Sequence, residues 1–204
     1  MSVGHPTPED DLAFIRRLTS PDLGEAWRRG FGFIYATWGL AFAAPLLFEW
    51  ARVAGYLPLP AAFWLYATAT ATLLLITFTV WTARRSRPTV GHQPRALNAI
   101  FAGVGWANVA VLAALIAVSV KLQDTRLLML HAVVVFAFQG SAWYAVWALQ
   151  KRLWTGLVAA GWFVMAVALG LTVDQPASFI LIAALGLLLL MTLPGLLMMR
   201  RPRA

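Results

Sequence analysis

Long apolar runs alternate with short polar breaks from Phe31 to Met199. None keeps the two-residue alternation of a half-buried strand, and none confines its apolar residues to the single stripe of a soluble helix. Each run is about as long as the ~20 residues that carry a helix across a hydrocarbon core of ~30 Å. Six helical spans are therefore expected, at 31–53, 61–83, 97–120, 127–149, 153–173 and 177–199. Short connections make consecutive helices antiparallel neighbours. The expected fold is all-α, a polytopic membrane bundle of three helical hairpins, with kinks at Pro45 and at Pro194-Gly195.

Residues 1–30 read as a cytoplasmic, interfacial segment. Thr7 can cap a short helix, Pro8 suits its first turn, and Asp10 stands at capping-box spacing. Leu12, Ile15 and Leu18 then share one face beside Arg16 and Arg17, and a second helix start follows at Ser20-Pro21-Asp22. Such a face either lies on the membrane surface or docks a cytoplasmic partner. The segment does not read as a cleavable signal, because it opens with Glu9, Asp10 and Asp11 and its first apolar run waits until Phe31. Residues 200–204 form a basic tail.

Charge then orients the bundle. Of the 16 Lys and Arg, all but Arg52, Lys121 and Arg126 fall in the N-terminal segment, the second and fourth connections and the C-terminus. Basic residues stay on the cytoplasmic side, so both termini are expected there. The net charge of +8 would suggest nucleic acid in a soluble chain, but with 61% hydrophobic residues the cations read as anchors beside the spans. The expected partners are the bilayer, a cytoplasmic or membrane protein, and a second copy of the chain. Nucleic acid is not among them. Compact loops and this charge asymmetry point to a bacterial inner membrane.

Candidate chemistry is sparse. The chain has no cysteine, which excludes disulfides and thiolate metal sites. His131 is the one histidine inside a span, so neither a bis-histidine haem nor a catalytic zinc site can be assembled, and no cofactor or metal is expected. Polar side chains inside a bilayer are costly and become candidates by default. Asn108 and Gln139 fall at matching depth on neighbouring spans, where they can clasp the helices through an amide hydrogen bond or hold a ligand. Gly103, Gly105, Gly140 and Ser141 would permit close approach there. Glu49 and His131 share a level near the outer end, as a proton-relaying pair or as independent interfacial side chains with Glu49 beside Arg52. Thr68, Thr72 and Thr79 align on one face of the second span, either lining a polar path or bonding back to their own helix. No nucleophile elbow, His-Glu-x-x-His or phosphate loop occurs. An enzyme acting on head groups would have to use Glu49, His131 and Asp124.

Trp38, Trp106 and Trp162 each follow a basic anchor by about ten residues, the spacing of a tandem hairpin repeat or of an interfacial aromatic belt. The opening Asp11-Leu12-Ala13-Phe14-Ile15-Arg16, followed by a basic stretch and aromatic-rich spans, resembles a group of small polytopic bacterial inner-membrane proteins of uncharacterised role. The resemblance covers roughly the first forty residues. It implies a helical inner-membrane protein and transfers no functional residue. The expected function is a non-enzymatic subunit that binds a partner or an apolar ligand as a sensor or scaffold. The alternative is a small channel or transporter for a lipophilic or proton-linked substrate.

Overall fold

The computed structural model describes residues 21–58, 60, 63–85 and 92–200, which are helical apart from short turns and contain no strand. The helices are α1 (Pro21–Val53), α2 (Phe63–Arg85), α3 (His92–Leu122), α4 (Met129–Gln150), α5 (Leu153–Leu171), α6 (Pro176–Leu187) and α7 (Leu193–Met199). A 3₁₀ turn, Thr125–Leu128, leads into α4. A π turn, Leu188–Thr192, joins α6 and α7 into one apolar stretch. The face carrying Leu12, Ile15 and Leu18 lies outside the described residues.

Among the described residues, five stretches are long and apolar enough to cross a membrane: Arg28–Val53, Arg95–Leu122, Thr125–Gln150, Leu153–Leu171 and Pro176–Met199. The apolar part of α2, Ala67–Thr82, is shorter. Helix α1 begins at Pro21, where proline's fixed φ and missing N–H suit a first turn, and continues directly into the first span. In the last span the irregularity precedes Pro194: Leu193 N–H reaches back five residues to the Leu188 carbonyl. Proline cannot bond to the carbonyl four residues back and its ring crowds it, and a widened turn relieves that crowding.

The most extensive packing joins α4 to α5 and α1 to the last span. Helix α1 lies against α7 almost backbone to backbone. Gly32, Ala36, Gly39 and Ala43 recur at helical spacing and are buried. A Cβ added at Gly195 would stand 2.6 Å from both the Ala36 nitrogen and the Gly32 oxygen. One turn earlier in the last span, Thr192 fills the space over Gly39, leaving 2.5 Å between its Oγ1 and an added Cβ. Small residues let helices approach this closely where lipid supplies no hydrophobic drive for association. These glycines do the work expected of Gly103 and Gly105, which meet nothing within 4 Å.

Helices α2 and α3 are peripheral. Helix α2 packs on α1 through the Phe33–Phe78 and Phe48–Phe63 ring pairs. Helix α3 packs on α4 and the 3₁₀ turn, and none of its most apolar stretch is buried. Leu97, Phe101, Asn108 and Ser119 face the bundle, while Trp106, on the other side, is 75% exposed. The three tryptophans of the apparent repeat thus occupy different environments: Trp162 is buried, Trp38 half-buried and Trp106 exposed.

A methyl group at position 195 meets backbone that cannot yield, so Gly195→Ala should cost roughly 1–3 kcal/mol, the range for overpacking. Gly103→Ala should leave stability unchanged. Thermal melting of the detergent-solubilised protein checks the pair, and equal melting of both variants would overturn the close-approach account.

Candidate functional site

The four polar residues picked out in the sequence do not form one cluster. Glu49 is buried and its carboxylate accepts two hydrogen bonds from Arg52, from Nε at 2.7 Å and from Nη2 at 2.6 Å. A three-residue offset on one helix places the pair together, and a buried carboxylate in apolar surroundings needs such a partner. The Glu49–His131 relay is therefore not formed. His131 instead directs Nε2 to the backbone oxygen of Asn108, 3.3 Å away on α3.

The Asn108–Gln139 amide bond is not formed either. The side-chain oxygens of both residues are buried without a hydrogen-bond partner among the described residues. With His131 level with Asn108, Gln139 stands a further ~12 Å along α4 at ~1.5 Å per residue. The matching depth expected of the two amides rests on the inner ends of the two spans lying level. Between Gln123 and Leu128 the chain is instead extended or 3₁₀, and both forms advance further per residue than an α-helix. That shifts α4 along α3. Ser119, on the same face of α3 as Asn108, has a third oxygen buried without a partner.

The threonines of α2 satisfy themselves. The hydroxyls of Thr72, Thr77 and Thr82 donate to the carbonyls of Thr68, Leu73 and Thr79, and Thr79 Oγ1 accepts from Trp38 Nε1 at 3.2 Å. No hydroxyl path results. Asp124 accepts from Arg126 N–H at 2.9 Å and caps the 3₁₀ turn. Glu49 and Asp124 thus each have a structural partner, Arg52 and the Arg126 N–H.

A buried side-chain hydrogen bond joins α1 to α4. Trp143 Nε1 donates to the Tyr35 hydroxyl at 2.6 Å, with both side chains buried. The indole is ringed by Tyr35, Phe101 and Trp154 at centroid distances of 5.5, 5.9 and 5.6 Å. This nucleus ties α1, α3, α4 and α5 together at one level. A Tyr hydroxyl and an indole N–H bury large rings while satisfying each other. In the sequence these residues are indistinguishable from the other aromatics of an apolar span.

A recess of about 550 Å³ lies along the outer side of the α4–α5 pair. Leu153, Gly156, Leu157, Ala160 and Phe163 recur at helical spacing on one face of α5. Gly156 and Ala160 leave the recess, Ala159 is buried behind it, and Trp147 and Tyr144 of α4 close the other side. The lining carries no charged residue. From Leu153 to Phe163 it runs ~15 Å, half of a ~30 Å hydrocarbon core. Its volume falls within the ~300–1,000 Å³ of small-molecule sites. The groove begins at the turn made by Lys151 and Arg152, where Lys151 adopts a left-handed backbone (φ 55°) and its N–H donates to the Trp147 oxygen.

No protein-family model, no curated protein and no solved structure matches this chain.

If the indole–phenol bond holds four helices in register, Tyr35→Phe and Trp143→Phe should each destabilise the bundle. Their coupling in a double-mutant cycle should be on the order of 1 kcal/mol. Asn108→Ala and Gln139→Ala should instead add without coupling. Unfolding in mixed micelles measures both cycles, and coupling between the two amides would overturn the register described.

Proposed function

We propose that this protein is a non-enzymatic membrane protein that binds an apolar ligand drawn from the bilayer, acting as a sensor or scaffold. The observation that carries this reading is the uncharged groove between α4 and α5, one leaflet deep and open along its side. An apolar molecule entering it leaves lipid for a shaped wall of Trp147, Leu157 and Phe163, and gains packing that fluid chains do not supply. The protein's own acid and base groups support the non-enzymatic part, since Glu49 is held by Arg52 and His131 by a backbone oxygen.

The topology belongs to the same proposal. Helix α2 (Phe63–Arg85) is 23 residues long, enough to span with its polar ends at the interfaces. That makes six spans, arranged as three hairpins, with both ends cytoplasmic in a bacterial inner membrane. Basic Lys151 and Arg152 then lie on the cytoplasmic side, opposite Gln123 and Gln175.

A second reading has an observation of its own. Buried oxygens of Ser119 and Asn108 on α3 and of Gln139 on α4 have no partners among the described residues, and His131 of α4 meets α3 at Asn108. Such atoms call for water or a ligand, which suits a small proton-linked transporter.

An alkyl probe bearing a photoreactive diazirine should label residues 144–163 preferentially, and Ala160→Trp should cut that labelling about tenfold by filling the recess, since a Trp brings bulk comparable to a buried ligand group. Uniform labelling over the outer face of α3 would overturn the groove reading. A proton flux in proteoliposomes above that of empty liposomes, abolished by His131→Ala, would favour the transporter. For the topology, Gln123→Cys should react with an impermeant thiol reagent on intact cells and Lys151→Cys should not.

A further inference from the structure

The groove's ends differ in chemistry. Phe163 lines one end, and beside Leu153 at the other lies the Lys151–Arg152 turn, where both cations are exposed. Lys151 Nζ lies 5.3 Å from the centroid of the Trp147 ring, the same ring that walls the groove. A cation held over an aromatic face is positioned without a carboxylate. Among the described residues the ion pair is Glu49–Arg52, and none of the described carboxylates engages Lys151 or Arg152. Arg152 also stands at the N-cap of α5 without capping it through its side chain; its carbonyl accepts from the Thr155 and Gly156 N–H groups, and those of Leu153 and Trp154 have no intrahelical partner. An anion placed there meets the Lys151 ammonium held over Trp147, the exposed Arg152 and the first turn of α5. An apolar chain attached to it finds ~15 Å of recess directly beneath.

We infer that the ligand of this groove is an anionic glycerophospholipid, with its phosphate at Lys151 and Arg152 and one acyl chain lying between Trp147, Leu157 and Phe163. Charge complementarity selects this occupant over a neutral hydrocarbon or a partner helix. The recess is as long as one leaflet's chain, and basic sites between membrane helices are suited to anionic head groups. Lys151 serves twice, as the left-handed residue that reverses the chain in two positions and as the head-group cation. The inference rests on the reading of the groove as an apolar-ligand site.

The test uses the full-length protein reconstituted in phosphatidylcholine bilayers containing a trace of chain-spin-labelled lipid, with electron paramagnetic resonance reporting the motionally restricted fraction. Spin-labelled phosphatidylglycerol should associate about tenfold more strongly than spin-labelled phosphatidylcholine at low salt, as expected for two interfacial cations. The preference should collapse at high salt. The double substitution Lys151→Gln with Arg152→Gln should abolish the preference but keep a restricted chain. The charge-conserving pair Lys151→Arg with Arg152→Lys should retain it, which controls for damage to the turn. Ala160→Trp should remove the extra restricted component for both lipids. Equal association of the two lipids, with that component still sensitive to Ala160→Trp, would overturn the head-group assignment and leave the apolar-ligand reading standing. A preference that survives the double Gln variant would also overturn it. Failure of Ala160→Trp to change the restricted fraction of either lipid would instead overturn the groove reading itself.

Discussion

The bundle depends on how closely α1 approaches the last span. Inside a hydrocarbon core there is little hydrophobic gain in bringing two apolar helices together, so packing decides. Gly32, Ala36 and Gly39 on α1 meet Gly195 and Thr192 at distances that leave no room for a methyl group. That contact joins α1 to the last span. It makes α1 the element against which α2, α6 and α7 are laid.

From α1 the second connection is aromatic. Tyr35 faces Trp143, and through Trp143 the helices α3, α4 and α5 are held at one level. The two contacts lie side by side on α1, Tyr35 standing three positions from Gly32 and four from Gly39: small residues where backbones must touch, and a large amphipathic ring where a wider gap must be filled and two polar atoms satisfied. Helix α3 stands at the edge of this arrangement. It touches the nucleus at Phe101 and is otherwise carried by α4 and the 3₁₀ turn. Its inward face holds buried oxygens at Ser119 and Asn108 that the protein does not satisfy. Contacts of this kind are found on elements of low local stability.

The tight α4–α5 pair creates the groove for the same reason that it packs well. Gly140 and Gly156 admit the rings of Phe163 and Trp147 from the opposite helix. Those rings then stand at the outer edge of the pair, and Ala160 leaves the space beside them unfilled. A two-residue turn with Lys151 in the left-handed conformation brings the helices together abruptly and puts two cations at the top of the recess. Shape and charge at this site come from one short stretch of chain.

Helix content and the apolar stretches were legible in the sequence, because a run of ~20 apolar residues has few ways to satisfy its backbone other than as a helix. The self-bonding of the α2 threonines and the Glu49–Arg52 pair were legible too, since each involves residues three or four apart on one helix. The small-residue stripe of α1 was there to be read in Gly32, Ala36, Gly39 and Ala43, but its partner on the last span was not. The relations between helices were decided only by the tertiary structure. Register between α3 and α4 turned on the conformation of the few residues between Gln123 and Leu128, which moved Gln139 away from Asn108 and set His131 there instead. Azimuth decided that Gly103 and Trp106 face outward while Trp143 and Trp162 are buried. A chain apolar on every face of its helices carries no stripe to say which side turns inward, so packing had to choose it.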